Sequence, residues 1–317
     1  MGDPREVAAR VERSMLFVPG TRWETIVKAA RSEADAVCVD LEDSVTPEKK
    51  GEARANAVRA LRELDFGGKT RIVRVNPTDA AFTYRDVVDV VEAAGDRLDL
   101  LMLPKAESPN DVIFVDTLLA QIERQRGLPR RIGLEVQMES AAGFVWLREI
   151  AAASPRVEAL VFGPGDYAAS LHMPSSNVGA VDADDALYPG HRWHVAMHAL
   201  VAVGRAFGLR CIDGPFAAYQ DLSGAERACR IARALGFDGK QCIHPAQIEV
   251  CHRVFAPTDD EVAHARRVVA AADAAAAEGR GASSVDGAMV DAASVRLARV
   301  VLERHARSGS AVGSEPR

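Results

Sequence analysis

The sequence predicts an α/β protein, a (β/α)8 TIM barrel with a C-terminal helical extension, on three observations. Eight short β-rich runs alternate along the chain with longer segments of helical spacing. Most of these runs are near-continuously apolar, as expected of parallel strands covered on both faces. Eight strand–helix units in about 245 residues also exceed the usual strand number of a doubly wound sheet.

In chain order the expected strands are SMLFVP (14–19), AVCVDLE (36–42), RIVRVN (71–76), LLMLPK (100–105), RIGLEVQ (131–137), ALVFG (159–163), RCIDGP (210–215) and KQCIH (240–244). Between the second and third runs, TPEKKGEARANAVRALREL (46–64) predicts a helix, and after the fourth run SPNDVIFVDTLLAQIERQ (108–125) predicts another. Each opens with Ser or Thr before Pro, the pattern of an N-cap followed by proline at the first helical position. The segment 172–191 follows strand six; it is long, polar and rich in turn formers, as an extended loop at a catalytic face would be. Past the eighth strand come a helix over 258–277, a Gly/Ser linker over 278–284 and a final helix from about residue 290. The expected domains are a catalytic barrel, 1–255, and a helical extension, 256–317, which exceeds what the barrel needs.

The 317 residues are 48% hydrophobic and 26% charged, enough apolar material for a large core and far from a disordered composition. A net charge of -6 argues against a protein that binds nucleic acid or a membrane surface through a basic field. The five cysteines are an odd number without a C-x-x-C pair, so they fit neither a disulfide framework nor a zinc knuckle and read as reduced, buried thiols. The charged N-terminus lacks the apolar stretch of a signal peptide, and no run approaches 18 apolar residues. The expectation is a cytoplasmic protein.

In such a barrel the carboxyl ends of the strands share one rim, where active sites are built. The polar residues at those ends are Asp40, Glu42, Asp43, Arg74, Lys105, Glu139, Asp166, Asp213 and His244. Glu139 and Asp166 end neighbouring strands, which lie about 4.8 Å apart, so both can reach one point. Two carboxylates that close need a cation or a proton between them, and a hard divalent ion such as Mg2+ suits an all-oxygen set. Against this stands a plainer reading, in which Glu139 caps the next helix and Asp166 makes a turn. Gly163 and Gly165 let backbone amides approach a ligand closely. Arg74, a charge within an apolar strand, must be paired or face the mouth; it is either an anion partner or a salt bridge to the Asp40, Glu42 and Asp43 cluster. Lys105 has the same two readings, and a Schiff-base role is a third. His172, His191, His194 and His198 fall in or after the long loop and, with Trp193, serve its packing. His244 is better placed, as a hydrogen bonder at the mouth.

The motifs SMLFVPGTRWETIVKAA, ADAVCVDLEDSVTPEKKGEAR, LPKAES, LEVQMESAAG, VFGPGDYAA and GKQCIHPAQI, in this order over about residues 14 to 300, resemble the citrate lyase β-subunit-like, or HpcH/HpaI aldolase, superfamily. Within it, the long insertion and the segment after it look most like the malyl-CoA and β-methylmalyl-CoA lyases. The resemblance implies a TIM barrel, Mg2+ as cofactor, and making or breaking a C–C bond between an acyl-CoA and a 2-oxo acid or glyoxylate. It carries Glu139 and Asp166 onto the metal ligands, and Arg74 onto the arginine beside the reacting carbonyl. Phe17, Arg22 and Lys28 match CoA-binding positions, and Gly165, Asp166 and His244 join them around the substrate. Glu42 and Asp43 stand behind the metal. Asp291, in VDGAMVDAASV, matches the acid/base that a C-terminal arm brings into a neighbouring subunit, which implies a homotrimer or homohexamer. Trp23 departs from the pattern, where the family has proline.

The implied reaction is retro-Claisen cleavage of a 3-hydroxyacyl-CoA carrying a carboxylate beside its hydroxyl. Thioester hydrolysis of malyl-CoA, and a role as the β subunit of a citrate lyase-type complex, are the alternatives.

Overall fold

The computed structural model describes residues 10–174, 178–179, 185 and 192–312. It divides into two compact units, up to His252 and from Arg253 onward.

The first unit is a closed barrel of eight parallel strands in sequential order. They are β1 (Ser14–Pro19), β2 (Ala36–Asp40), β3 (Thr70–Arg74), β4 (Leu100–Leu103), β5 (Gly133–Met138), β6 (Val157–Phe162), β7 (Arg210–Asp213) and β8 (Gly239–Cys242). Closure is made by β1 against β8, where Met15 pairs with Gln241. The helices around it are α1 (Trp23–Ala30), α2 (Lys50–Glu63), α3 (Thr83–Ala94), α4 (Pro109–Arg126), α5 (Ala141–Val145), α6 (Leu147–Ala152), α7 (Pro164–Ser170), α8 (His194–Ala206), α9 (Leu222–Leu235) and α10 (Ala246–Phe255), in the βα connections or their flanks. All eight expected strands are present, most of them ending one or two residues earlier, so several polar residues read as strand ends stand in the loops just beyond.

Local chemistry explains the helix starts, with one correction. Before α4, the Ser108 N–H donates to the Asp111 carboxylate at 2.8 Å, half of a capping box. Before α2, Thr46 makes no side-chain cap; a 3-10 turn, Pro47–Lys49, leads in instead.

Side chains alternate between the barrel interior and the surrounding helices. The inward set at mid-height is apolar: Met15, Ala36, Cys38, Ile72, Leu100, Met102, Val161 and Ile212, all at most 1% exposed. Following the same alternation upward brings Phe17, Asp40, Arg74, Gln137 and Gln241 to the upper interior. Downward it brings Glu135 and Arg210 to a buried ionic floor. There Arg210 lies 2.9 Å from Glu12, 3.3 Å from Glu158 and 3.4 Å from Glu135. Burial, followed by the nearby Glu12, pushes the Glu135 carboxyl well above its ordinary range. Among the described residues neither Glu12 Oε1 nor Glu135 Oε2 receives a hydrogen bond from another group, and a protonated Glu135 can donate to Glu12.

The alternation also corrects one expectation. Asp213 follows inward-facing Ile212, so it points out of the barrel and pairs with buried Lys240 beneath the helices. It takes no part at the mouth.

All five cysteines are free and buried. Among the described residues no helix is long and apolar enough to cross a membrane.

The second unit has its own small core of Ala265, Val268, Val285, Val290 and Ala298. Its elements are α11 (Asp259–Ala277), β9 (Ser283–Val285), β10 (Ala288–Val290) and α12 (Ala292–Val312). Thr258 and Glu261 form the capping box of α11. The expected linker is partly structured: β9 and β10 pair antiparallel around Asp286 and Gly287, whose φ values of 52° and 80° suit a type I′ turn.

Candidate active site

At the carboxyl ends of the strands a cavity of about 370 Å³ opens, lined by Phe17, Asp40, Arg74, Gln137, Glu139, Asp166, Gln241, Ile243 and neighbours. Glu139 stands one residue past β5 and is 2% exposed. Its Oε1 accepts the backbone N–H of Lys105 at 2.9 Å and its Oε2 accepts Gln137 Nε2 at 2.5 Å. The plainer reading of this residue fails, because Ser140 is the N-cap of α5, its Oγ accepting the Gly143 N–H at 3.0 Å. Asp166 lies in the first turn of α7, its side chain 46% exposed toward the cavity.

Gly163 lets these two carboxylates share the wall. A Cβ there would lie 2.4 Å from Glu139 Oε2 and 2.4 Å from Glu139 Cβ, so only glycine admits the glutamate. Burial pushes the Glu139 carboxyl up to about 8; Arg74 opposes this, and Glu42 and Asp166 add to it. A carboxylate held so high is one that a cation would relieve.

Arg74 makes the salt bridge that one of its two readings expects. Its Nε and Nη2 donate to Asp40 at 2.7 and 2.8 Å, and Nη1 lies 3.0 Å from Glu42. Those contacts hold the guanidinium rigidly on the cavity wall, 5.2 Å over the Phe17 ring, while its remaining N–H groups stay available to a substrate oxygen. Asp43 pairs instead with Lys105, at 2.9 Å.

Lys105 is an ion-pair hub. Its Nζ lies 2.5 Å from Glu42, 2.9 Å from Asp43 and 3.8 Å from Asp166. Burial alone would lower its pKa, but the hydrogen bonds to Glu42 and Asp43 outweigh it and raise the ammonium above the ordinary lysine range. An amine kept protonated is no Schiff-base nucleophile. Its left-handed backbone, φ 50°, aims its N–H at Glu139.

Arg22, Lys28 and His244 are not among the residues that line the cavity. Arg22 is the exposed N-cap of α1 and Lys28 is exposed in its last turn. Trp23 lies under the Arg59 guanidinium, 3.9 Å from its ring centroid. His244 stacks on Tyr219 at 4.9 Å, its Nδ1 accepting the Ala246 N–H, and Ile243 lines the cavity in its place. Trp193 packs against Phe162 and Tyr167, and His194 and His198 pair on α8. His172 begins the long loop; His191 and most of that loop lie outside the described residues. In the second unit, Asp291 caps α12: its Oδ1 accepts the N–H groups of Ala293 and Ser294 at 3.0 and 2.9 Å. The Ser294 N–H is the chief cause holding its carboxyl below the usual range.

The donor set suits a hard ion. Among the described residues no group of three or more His, Cys, Asp or Glu side chains is arranged to hold a metal. Two carboxylates at an open cavity do fit Mg2+, which takes oxygen ligands and leaves positions to waters and substrate. Glu42 stands behind them with both oxygens engaged, Oε1 by Lys105 and Oε2 by Arg74 at 3.0 Å.

Residues 13–245, nearly the whole barrel, match the model of the HpcH/HpaI aldolase/citrate lyase family. The chain belongs to that family. Among its relatives is the L-malyl-CoA/β-methylmalyl-CoA lyase of Cereibacter sphaeroides, 43% identical over 302 residues, which cover 93% of this chain and 95% of the relative. The citrate lyase subunit beta of Escherichia coli is 36% identical, covering 95% of each chain. Of solved structures, the protein CitE of Mycobacterium tuberculosis, in complex with magnesium, acetoacetate and coenzyme A, superposes with a TM-score of 0.73 at 32% identity, covering 94% of this chain and 99% of that one. As a member of the HpcH/HpaI family the chain is a carbon–carbon lyase.

Within this family member, Gln137, Ser44, Pro215 and Gln241 line the cavity although the motifs do not single them out. A signal for Gln137 exists in the sequence: Glu135, Gln137 and Glu139 are polar at a spacing of two, which places them on one face of β5. Gln241 has no such neighbour, and only barrel closure brings it across.

Proposed function

We propose that the chain reversibly cleaves a 3-hydroxyacyl-CoA of the malyl-CoA, β-methylmalyl-CoA or citramalyl-CoA type. The products are acetyl- or propionyl-CoA and glyoxylate or pyruvate, and Mg2+ is the cofactor. The observation that carries this is the convergence of Glu139, Asp166 and Arg74 on one cavity at the barrel mouth. Likeness to the malyl-CoA lyases and to a magnesium- and CoA-bound relative supports it.

Glu139 and Asp166 would hold the ion, which when bound polarises the substrate's hydroxyl and carboxylate oxygens. Arg74, locked by Asp40 and Glu42, donates N–H groups to the thioester oxygen as it gains charge, a rigid dipole aimed at the enolate. Phe17, Pro19, Pro164, Pro215 and Ile243 wall the cavity with apolar surface and keep water from the thioester. Asp291 moves the proton at the α-carbon of the acyl group. Its ionised state suits proton removal in the condensation direction. In this reading Asp291 comes from a neighbouring copy in a homotrimer or homohexamer, so residues 256–317 complete a partner's site, and the enzyme is cytoplasmic. Phe17, Arg22 and Lys28 contact the CoA, and Gly165 and His244 contribute from the rim.

The test is product identification with purified protein, Mg2+, and malyl-, β-methylmalyl-, citramalyl- and citryl-CoA. Glyoxylate or pyruvate appearing in step with acetyl- or propionyl-CoA is expected. Free malate and CoA would indicate thioester hydrolysis instead. Likeness to the Escherichia coli subunit favours a second reading, citryl cleavage within a complex; turnover of free CoA esters by the chain alone would count against it.

A further inference from the structure

Glu139 is held from three sides, and the third hold reaches across the barrel. Lys105, at the end of β4, gives its backbone N–H to Oε1. Gly163, at the end of β6, closes one side by leaving no room for movement toward it. Gln137 Nε2 meets Oε2 at 2.5 Å, and Gln137 Oε1 in turn accepts Gln241 Nε2, from β8, at 3.3 Å. Both glutamines are 4% exposed.

A primary amide has one acceptor end and one donor end, so the partner of one end decides what the other presents. With Gln241 donating to Oε1, Gln137 must turn its NH2 toward Glu139. The flipped amide would put a carbonyl oxygen against a carboxylate oxygen, acceptor against acceptor, at the same short distance.

We propose that Gln241 is a positioning residue for the metal site: through the Gln137 amide it fixes the rotamer of Glu139 and so raises the affinity for the divalent ion. This rests on the reading of Glu139 as a metal ligand. Gln241 acts from 102 residues away in sequence: it holds the carbonyl end of the Gln137 amide, and without its donor only the contact with Glu139 itself keeps that amide in place. Partners that orient a ligand from behind are worth about 10- to 100-fold in metal affinity.

The test uses the full chain, titrated with Mg2+ and separately with Mn2+ by calorimetry without any CoA ester. Gln241→Met, Gln137→Met and the double variant are compared with wild type, with thermal melts of each. Gln241→Met is expected to weaken ion binding by roughly 10- to 100-fold while its melting temperature stays near wild type, and the lost turnover is expected to return as Mg2+ is raised. The double variant is expected to bind no more weakly than Gln137→Met, because the two residues act in series. Wild-type affinity in Gln241→Met, or losses that add in the double variant, would overturn the proposal. Should Gln241→Met fail to fold, Gln241→Asn, which shortens the donor beyond reach, reads the same loss. Wild-type protein that binds neither ion would instead sink the metal reading itself, and the inference with it.

Discussion

Gly163 is the residue on which the site geometry depends most directly. The contact of its missing side chain with Glu139 is with both the carboxylate and Cβ, so neither a rotamer change nor a small shift relieves a methyl group there. Gly163→Ala is expected to cost about 1 to 3 kcal/mol of stability by overpacking and to weaken Mg2+ binding and turnover; calorimetry and thermal melts of the variant check both. At this scale the sequence was informative where chemistry is local. Glu139, Asp166 and Arg74 each stand at a strand end and could be picked out by type and position. Whether Glu139 serves as a helix cap could not, since that depends on whether Ser140 takes the cap, which it does. Likewise, the salt bridge of Arg74 does not exclude an anion partner, because a guanidinium offers five donors, more than one aspartate and one glutamate consume. Gln241 was invisible because its significance is a contact across the barrel with no counterpart in local pattern.

Among the elements, strand alternation decides which polar residues reach the mouth. Asp213 looks equivalent to Asp40 in the sequence, yet the parity of β7 turns it outward to Lys240. Parity follows from register, which no single strand reveals. The helices were legible from apolar spacing and proline, while the β9–β10 hairpin hid in a Gly/Ser-rich stretch too short to show alternation. The start of α12 separates two roles that Asp291 combines. Asn is as good an N-cap as Asp, so Asp291→Asn should leave the helix and the melting temperature nearly unchanged. If Asp291 also carries the proton, the same variant loses about 100- to 10,000-fold in turnover. Comparing its melting curve with its cleavage rate tells cap from catalyst, and wild-type turnover would remove Asp291 from the mechanism.

For the whole molecule, the eightfold alternation made the barrel legible, and closure of β1 on β8 completes it. Its acid–base balance was not legible, because the charges on the floor come from four separate segments. Glu135 is an acid whose pKa is raised in the folded state by burial and then by Glu12. The folded protein therefore binds a proton that the unfolded chain, with an ordinary glutamate near 4.3, has released. The resulting stability is present below that ordinary value and is lost as pH rises through the higher folded one. Glu135→Gln keeps a donor toward Glu12 without a titrating proton. The variant should be more stable than wild type at pH 8, with the advantage shrinking toward pH 4.5; thermal melts across that range check the sign.

That floor also shapes the order of events. Beneath the cavity lies a packed apolar layer, and beneath it the Arg210 cluster, so among the described residues the barrel is a cup open at the mouth. In the proposed reading a small acid, held through the ion at Glu139 and Asp166, would lie below the thioester tail and leave only past it. The CoA product must then depart first and the oxo acid last. In the cleavage direction glyoxylate should compete with the CoA ester for the empty enzyme, whereas acetyl-CoA should inhibit in a mixed pattern. The reverse assignment in steady-state product inhibition would mean that the cup has another exit.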